Sequence, residues 1–91
     1  MRLEGKTAII VGAGQSPGSG MGNGRATAML FARNGADVMC VDRTIEAAEE
    51  SAQLIKAEGH KATAYAADVT READMAAMVT AAHKQWGHID I

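Results

Sequence analysis

Residues 7–24 decide the fold of this chain, and they read TAIIVGAGQSPGSGMGNG. Strand one is predicted from Lys6 to Val11, because a run that is apolar on successive residues is typical of a parallel strand buried on both faces. The loop from Gly12 to Gly24 is dense in glycine, which is entropically unfavourable unless the backbone needs that freedom. Glycine lets N–H groups approach a phosphate, and the helix start that follows adds donors and a positive dipole end. The order therefore predicts a site for the pyrophosphate of a dinucleotide.

The next segments alternate between helix and strand. Helix one is predicted from Arg25 to Asn34, with Gly35 just past its end, and strand two covers Asp37–Asp42. Thr44 is placed to cap helix two, which Gly59 ends. The predicted inward face of helix two is Ile45, Ala48, Ala52 and Ile55.

Strand three is predicted from Lys61 to Ala66, toward an edge of the sheet. Thr70 is assigned to the entry of helix three, which Gly87 ends, and Ile89-Asp90-Ile91 is predicted to begin strand four. The predicted buried stripe of helix three is Met75, Met78, Val79, Ala82 and Trp86.

The order βαβαβαβ predicts an α/β fold, the N-terminal half of a Rossmann-type doubly wound parallel sheet. Right-handed crossovers give the strand order 3-2-1-4, with the first two helices on one face and the third on the other. We expect residues 1–91 to be the dinucleotide-binding N-terminal portion of a single Rossmann-fold domain, truncated in strand four.

The charge, the apolar runs and the cysteine and histidine content limit the classes of function that the chain could have. The net charge of −2 with mixed signs gives no electrostatic case for nucleic acid or an anionic membrane. No apolar run approaches the roughly 20 residues of a membrane span, and the N-terminus lacks a signal-peptide core, so a soluble cytoplasmic protein is predicted. The single Cys40 excludes an internal disulfide and is predicted to be buried and inert. No histidine pair has ligand spacing, so no metal site is expected.

The acid that ends strand two bears on the choice of cofactor. Asp42 can accept hydrogen bonds from ribose hydroxyls, or it can cap the next helix. Thr44 is the better-placed cap, which favours the ribose role. A carboxylate here would repel the 2′-phosphate of NADP, so NAD is predicted as the preferred cofactor. Arg43 could pair with such a phosphate, but its ordinary role is a solvated side chain that flanks the adenine pocket.

Several motifs in order make the chain similar to the N-terminal part of a classical short-chain dehydrogenase/reductase. The family's glycine loop, strand-two acid, Asp-Val-Thr turn and Gly-x-Ile-Asp lead into strand four all have counterparts here. Three further stretches resemble the family's usual sequence. They are Gly24-Arg25-Ala26-Thr27-Ala28, Gly35-Ala36 and the run from Trp86 to Ile91. The resemblance covers essentially all 91 residues.

The resemblance implies roles for particular residues. Gly12 would begin the loop, and the backbone around Gln15, Gly22 and Asn23 would face the adenosine ribose and the pyrophosphate. Gly24 would be the last glycine of the motif. The implied cofactor-binding set is Gly12, Gln15, Gly22, Asn23, Gly24, Asp42, Arg43, Asp68 and Val69. In that set Asp68 would hydrogen-bond the adenine amino group, and the backbone of Val69 would contact the ring.

Two departures from the family pattern concern the loop. Gly12 and Gly24 are twelve positions apart, which is six more than the family's spacing. Matching Gly22-Asn23-Gly24 to the final glycine pair preserves the usual helix length, whereas matching Gly20-Met21-Gly22 would lengthen the helix by two residues. Val11 stands where the family usually has threonine.

The resemblance implies an NAD(P)-dependent oxidoreductase that transfers hydride between a nicotinamide and an alcohol or carbonyl substrate, as a homo-oligomer when full length. The family's Ser and Tyr-x-x-x-Lys are absent, since Tyr65 is followed four positions later by Val69. We therefore expect the 91-residue chain alone to lack turnover, and to be unstable or self-associating. The alternatives are an enoyl-reductase-like branch, an S-adenosylmethionine-binding domain and a non-catalytic nucleotide-binding module.

Overall fold

A computed structural model of the chain describes residues 3–12, 23–68 and 70–91, without the side chain of Asn23. Strands and helices alternate throughout this part. They are β1 (Thr7–Val11), α1 (Asn23–Arg33), β2 (Asp37–Asp42), α2 (Ile45–Ala57), β3 (Ala62–Ala66) and α3 (Glu72–Trp86). The α/β prediction is confirmed.

The three strands form one parallel sheet in the order β1-β2-β3. Thr7 pairs with Asp37, and Val38 pairs with Ala62. The 3-2-1 part of the predicted order is confirmed, and so is the position of β3 at an edge. Each crossover contains a helix, as a parallel connection requires.

The last residues lie along the other edge of β1. The N–H of Ile91 donates to the carbonyl of Thr7 at 3.0 Å, and the N–H of Ile9 donates to the carbonyl of Ile91 at 3.0 Å. This alternation is that of a parallel pair. Within the described residues no fourth strand is formed, so fourth place in the order stays a prediction.

The sheet separates two apolar clusters because successive strand residues point to opposite faces. One cluster packs Ala8, Val38 and Cys40 against α1 and α2. The other packs Met39 and Val41 against α3. The prediction of two helices on one face and the third on the other is therefore confirmed.

Element boundaries differ from the prediction by one or two residues. Helix α1 begins at Asn23, two residues earlier than predicted. It ends at Arg33, one residue earlier than predicted. Asn34 lies just beyond α1, where its side-chain amide donates to the carbonyl of Leu30, and the left-handed φ of 101° at Gly35 ends the turn. Strands β1 and β3 each begin one residue later than predicted, whereas β2 matches the prediction.

Three residues predicted to be buried are exposed. Ile45, Met75 and Val79 have exposed fractions of 37%, 36% and 40%. Ile45 is the first residue of α2, and the buried stripe of that helix begins one turn later and includes Ser51. Helix α3 turns Met78 and Ala82 to the sheet and leaves the neighbouring flank uncovered in the described part of the chain.

Strand β1 is covered less completely than predicted. Ala8 and Ile10 are buried under the helices on one face, but Ile9 is only half-buried and Val11 is exposed. Cys40 is buried as predicted, and burial raises the pKa of its thiol to about 11, which keeps the thiol protonated at neutral pH.

We expect Met39→Ala to lower the free energy of unfolding by roughly 2–5 kcal/mol, because it leaves a cavity in a site that is 1% exposed. Urea unfolding of the full-length protein, followed by far-UV circular dichroism, measures the change. The matched control is Met75→Ala at an exposed position, where we expect a loss below about 1 kcal/mol. Equal losses for the two variants would contradict this packing.

Candidate functional site

The carboxyl ends of the three strands meet at one edge of the sheet. Val11 and Gly12 at the end of β1, Asp42 and Arg43 at the end of β2, and Ala67 after β3 line a cleft of about 120 Å³. The N–H of Ala67 donates to the carbonyl of Asp42 at 3.0 Å, which ties the ends of β2 and β3 together. In open parallel sheets, ligands bind in the crevice outside this edge.

Gly12 makes the turn that leaves β1. Its φ is 71°, a left-handed value that favours glycine. No described atom lies within 4 Å of the position that a Cβ would take. The backbone at Gly12 is therefore open to the cleft, as close approach of a phosphate or ribose requires.

Asp42 takes part in the entry to α2. Its Oδ1 accepts a hydrogen bond from the N–H of Thr44 at 3.1 Å. Thr44 occupies the N-cap position, but its side chain makes no capping hydrogen bond. The prediction that a Thr44 cap frees Asp42 is wrong, because the Thr44 side chain makes no capping bond and the Asp42 carboxylate binds the N–H of the N-cap residue.

Asp68, which follows β3, also accepts a hydrogen bond from the N–H two residues ahead. Its Oδ1 accepts from the N–H of Thr70 at 2.9 Å and from the Thr70 hydroxyl at 2.6 Å. The N–H of Asp68 donates to Oδ2 of Asp74 in the first turn of α3. The hydrogen bonds from Thr70 lower the pKa of the Asp68 carboxyl, which is therefore ionised at neutral pH. The N-cap of α3 is Arg71, one residue after the Thr70 that the sequence assigned to the helix entry, and Asp68 binds Thr70 in the turn before it.

The remaining predicted site residues are only partly described. Gly24 lies in the first turn of α1, and Asn23 begins that helix. Arg43 is exposed at the cleft. Gln15, Gly22 and Val69 lie outside the described residues, so their predicted contacts stay predictions.

Arg25 is a residue that sequence reasoning missed. It follows Gly24 in the first turn of α1 and is 5% exposed. Its Nε donates to Oγ of Ser51 at 2.9 Å, and its Nη2 donates to Oε1 of Glu50 at 2.6 Å. The signal was present in the sequence, because Arg25 is spaced at i, i+3, i+4 and i+7 with Ala28, Met29 and Ala32 on the buried face.

A larger cleft of about 490 Å³ lies at the opposite, amino-terminal edge of the sheet. Its walls include Lys6, Asp37 and Lys61. It is remote from the strand-end carboxylates and the glycine turn, so its size does not make it the better candidate. Among the described residues, no three His, Cys, Asp or Glu side chains are grouped to hold a metal ion, and no helix is long and apolar enough to cross a membrane.

The comparison with known proteins agrees with this geometry. A family model described as short chain dehydrogenase matches residues 6–91. The chain belongs to the short-chain dehydrogenase family. This confirms the resemblance drawn from the motifs.

Individual relatives cover the whole chain. Over 91 residues it is 43% identical to sorbitol dehydrogenase of Cereibacter sphaeroides, which is 100% of this chain and 32% of that protein. A 7 alpha-hydroxysteroid dehydrogenase solved with NADH and 7-oxo glycochenodeoxycholic acid has a TM-score of 0.88 at 36% identity, over 98% of this chain and 32% of that one. A metagenomic short-chain oxidoreductase solved with NADP has a TM-score of 0.89 at 27% identity. That match covers 100% of this chain and 38% of the other chain. The chain thus spans about a third of the length of these relatives.

We expect Thr70→Ala to raise the pKa of Asp68 toward its ordinary value of 3.8, because the variant removes the hydroxyl donor and leaves only the backbone N–H. A lowered folded-state pKa contributes stability above the unfolded-state value, and that stability is lost as the pH falls through the folded-state pKa. The variant should lose less of its stability on acidification. Carbon-13 NMR titration of the carboxyl groups measures the shift directly.

The internal control is Asp90, whose pKa is lowered by hydrogen bonds from Thr7 and not from Thr70. Its titration should be the same in the parent and in Thr70→Ala. An unchanged Asp68, or a parallel shift of both carboxyls, would contradict the assignment.

Proposed function

We propose that the protein is an NAD(P)-dependent oxidoreductase that transfers hydride between a nicotinamide and an alcohol or carbonyl substrate. Residues 1–91 would form the dinucleotide-binding N-terminal portion of its Rossmann-fold domain. Family membership and the NADH and NADP in two structural neighbours support the reaction class. The nicotinamide would supply or accept the hydride, and the residues of this chain would bind and orient the cofactor.

One observation carries this proposal. Two carboxylates, Asp42 and Asp68, follow adjacent parallel strands at the edge where Gly12 leaves β1. Asp42 would accept hydrogen bonds from the adenosine ribose hydroxyls. Asp68 would accept one from the adenine amino group, and the backbone of Val69 would contact the ring. Such strand-end acceptors suit a nucleoside, which offers hydroxyl and amino donors.

The pyrophosphate would lie between the loop and α1. The first N–H groups of any α-helix lack a partner within the helix and carry the positive end of its dipole. Asn23 and Gly24 are the first residues of α1, and they would present these groups to the phosphates. Gln15 and Gly22 would contribute backbone contacts from the loop.

We infer a preference for NAD over NADP from charge. The two structural neighbours hold NADH in one case and NADP in the other, so the preference has to come from this chain's own residues. The Asp42 carboxylate lines the cleft where a ribose 2′-phosphate would bring further negative charge. Arg43 lines the same cleft but is exposed, so water screens its attraction for a phosphate.

Catalytic groups are to be sought outside these residues, because no Tyr-x-x-x-Lys is present in the chain. We propose that the full-length protein supplies them and works in the cytoplasm as a homo-oligomer. The substrate class follows from the family and not from any group in the cleft.

The deciding experiment titrates the full-length protein with NADH, NADPH and S-adenosylmethionine, and then assays oxidation and reduction of a panel of alcohols and carbonyl compounds. We expect NADH to bind more tightly than NADPH and S-adenosylmethionine not to compete. Competition by S-adenosylmethionine would favour a methyltransferase-like domain. Cofactor binding without any turnover would favour a nucleotide-binding module.

We expect Asp42→Asn to shift the preference toward NADP. Asn keeps an oxygen acceptor for the Thr44 N–H but removes the charge. Two like unit charges about 5 Å apart repel by roughly 3 kcal/mol at an effective dielectric constant of about 20, so the ratio of the NADP to the NAD dissociation constant should fall at least about tenfold. Isothermal titration calorimetry on the full-length protein gives both constants.

The control is Glu46→Gln, which removes an exposed carboxylate from the first turn of α2, four residues after Asp42. It should leave the ratio within about twofold of the parent, since an exposed charge is screened by water. A ratio that stays unchanged in Asp42→Asn would remove Asp42 from cofactor selection.

A further inference from the structure

Two arginine–glutamate links join α1 to α2, and they differ in burial. At the start of α1, Arg25 contacts Glu50 and the fully buried Ser51, and its side chain is 5% exposed. At the end of α1, Arg33 makes a two-point contact with Glu58, at 2.9 and 2.7 Å, and is 54% exposed. The two arginines are eight residues apart, which is about 12 Å along a helix. The buried link is therefore at the amino-terminal end of α1, which follows the glycine loop in the sequence.

Stability alone does not account for Arg25. A cation in the first turn of a helix is opposed by the helix dipole. A buried charge also loses hydration, and an apolar side chain of similar size often packs at least as well in its place. The neighbours of Arg25 on the buried face of α1 are Ala28 and Met29, which is the composition that packing against α2 and β2 favours. The guanidinium thus occupies a position where an ordinary core residue would serve the fold.

We propose that Arg25 is a positioning residue for the pyrophosphate site: it anchors the first turn of α1 to α2 and so fixes the backbone N–H groups of that turn. The proposal rests on the proposed dinucleotide site. Gly24, directly before Arg25, has no side chain that could hold the turn in place. The planar guanidinium bonds Ser51 and Glu50 through two different nitrogens, which restrains both the rotation and the translation of the helix end. A binding site needs its donors held to within about 0.5 Å.

The test compares ADP-ribose with adenosine, which lacks the pyrophosphate and the terminal ribose attached to it, on the full-length protein by ligand-observed NMR. The variants are Arg25→Met and Ser51→Ala. We expect Arg25→Met, which removes both bonds, to weaken ADP-ribose about tenfold, and Ser51→Ala, which removes one of them, to weaken it about threefold. Adenosine should change by less than about twofold in both variants, since it makes no phosphate contact.

Two further variants test whether the loss of ADP-ribose affinity comes from the position and geometry of Arg25 or from its charge and a general loss of stability. Arg33→Met removes the matched link at the far end of α1 and should leave both affinities within about twofold. Arg25→Lys keeps the charge but loses the two-point geometry, so ADP-ribose should weaken in it as well. The thermal unfolding midpoint is recorded for every variant.

Several results would overturn the proposal. They are equal losses for ADP-ribose and adenosine, an unchanged ADP-ribose affinity in a variant with a lowered unfolding midpoint, and parent-like affinity in Arg25→Lys. If Arg25→Met does not fold, Ser51→Ala decides, because it leaves the arginine in place. A parent protein that binds neither ligand would instead refute the proposed function, and the two failures are thereby distinguished.

Discussion

The parallel pairing of β2 with a strand on each of its edges is the constraint on which the rest of the structure depends. Residues Val38–Val41 at its centre are at most 1% exposed, so they have to be apolar on both faces. Parallel pairing then sends each connection back through a helix and brings the carboxyl ends of all three strands to one edge. The cleft between Gly12, Asp42 and Ala67 follows from that geometry and needs no specialised scaffold.

The two helices on the α1 face approach the sheet closely because small side chains separate them from it. Ala28, Ala32 and Ala52 are at most 2% exposed, and they contribute little volume to the layer. A layer of small side chains leaves little space for a charged side chain that has no partner. Ser51, another small residue, supplies the Arg25 guanidinium with an acceptor within the layer, and Glu50 supplies the opposite charge at its rim. Packing and site geometry are thus linked through the same pair of helices.

The sequence predicts the order of elements well because hydrophobic periodicity and helix-ending glycines are local properties of the chain. Strand β2 has its predicted bounds, and the assignment of helices to faces is correct. Burial at the ends of elements is not local, since it depends on where the partner element stops. Ile45, Met75 and Val79 have the right spacing but lie beyond the surface that covers their neighbours. The helix-entry role of Asp42 is local and was one of the two roles that the sequence allowed, whereas the bond from Arg25 to Ser51 spans 26 positions and could not be predicted without the fold.

Asp42 and Asp68 have equivalent positions, and their hydrogen bonds indicate why an acid suits each. Each carboxylate accepts from the N–H two residues ahead, at Thr44 and at Thr70, just before a helix begins. An aspartate is short enough to close this turn. The rotamer is fixed when the helix entry forms, so a ligand that binds these oxygens does not have to order the side chains again. The two aspartates that precede these helices are therefore already oriented before a ligand binds, and a substitution that preserves the turn but removes the charge separates the two tasks.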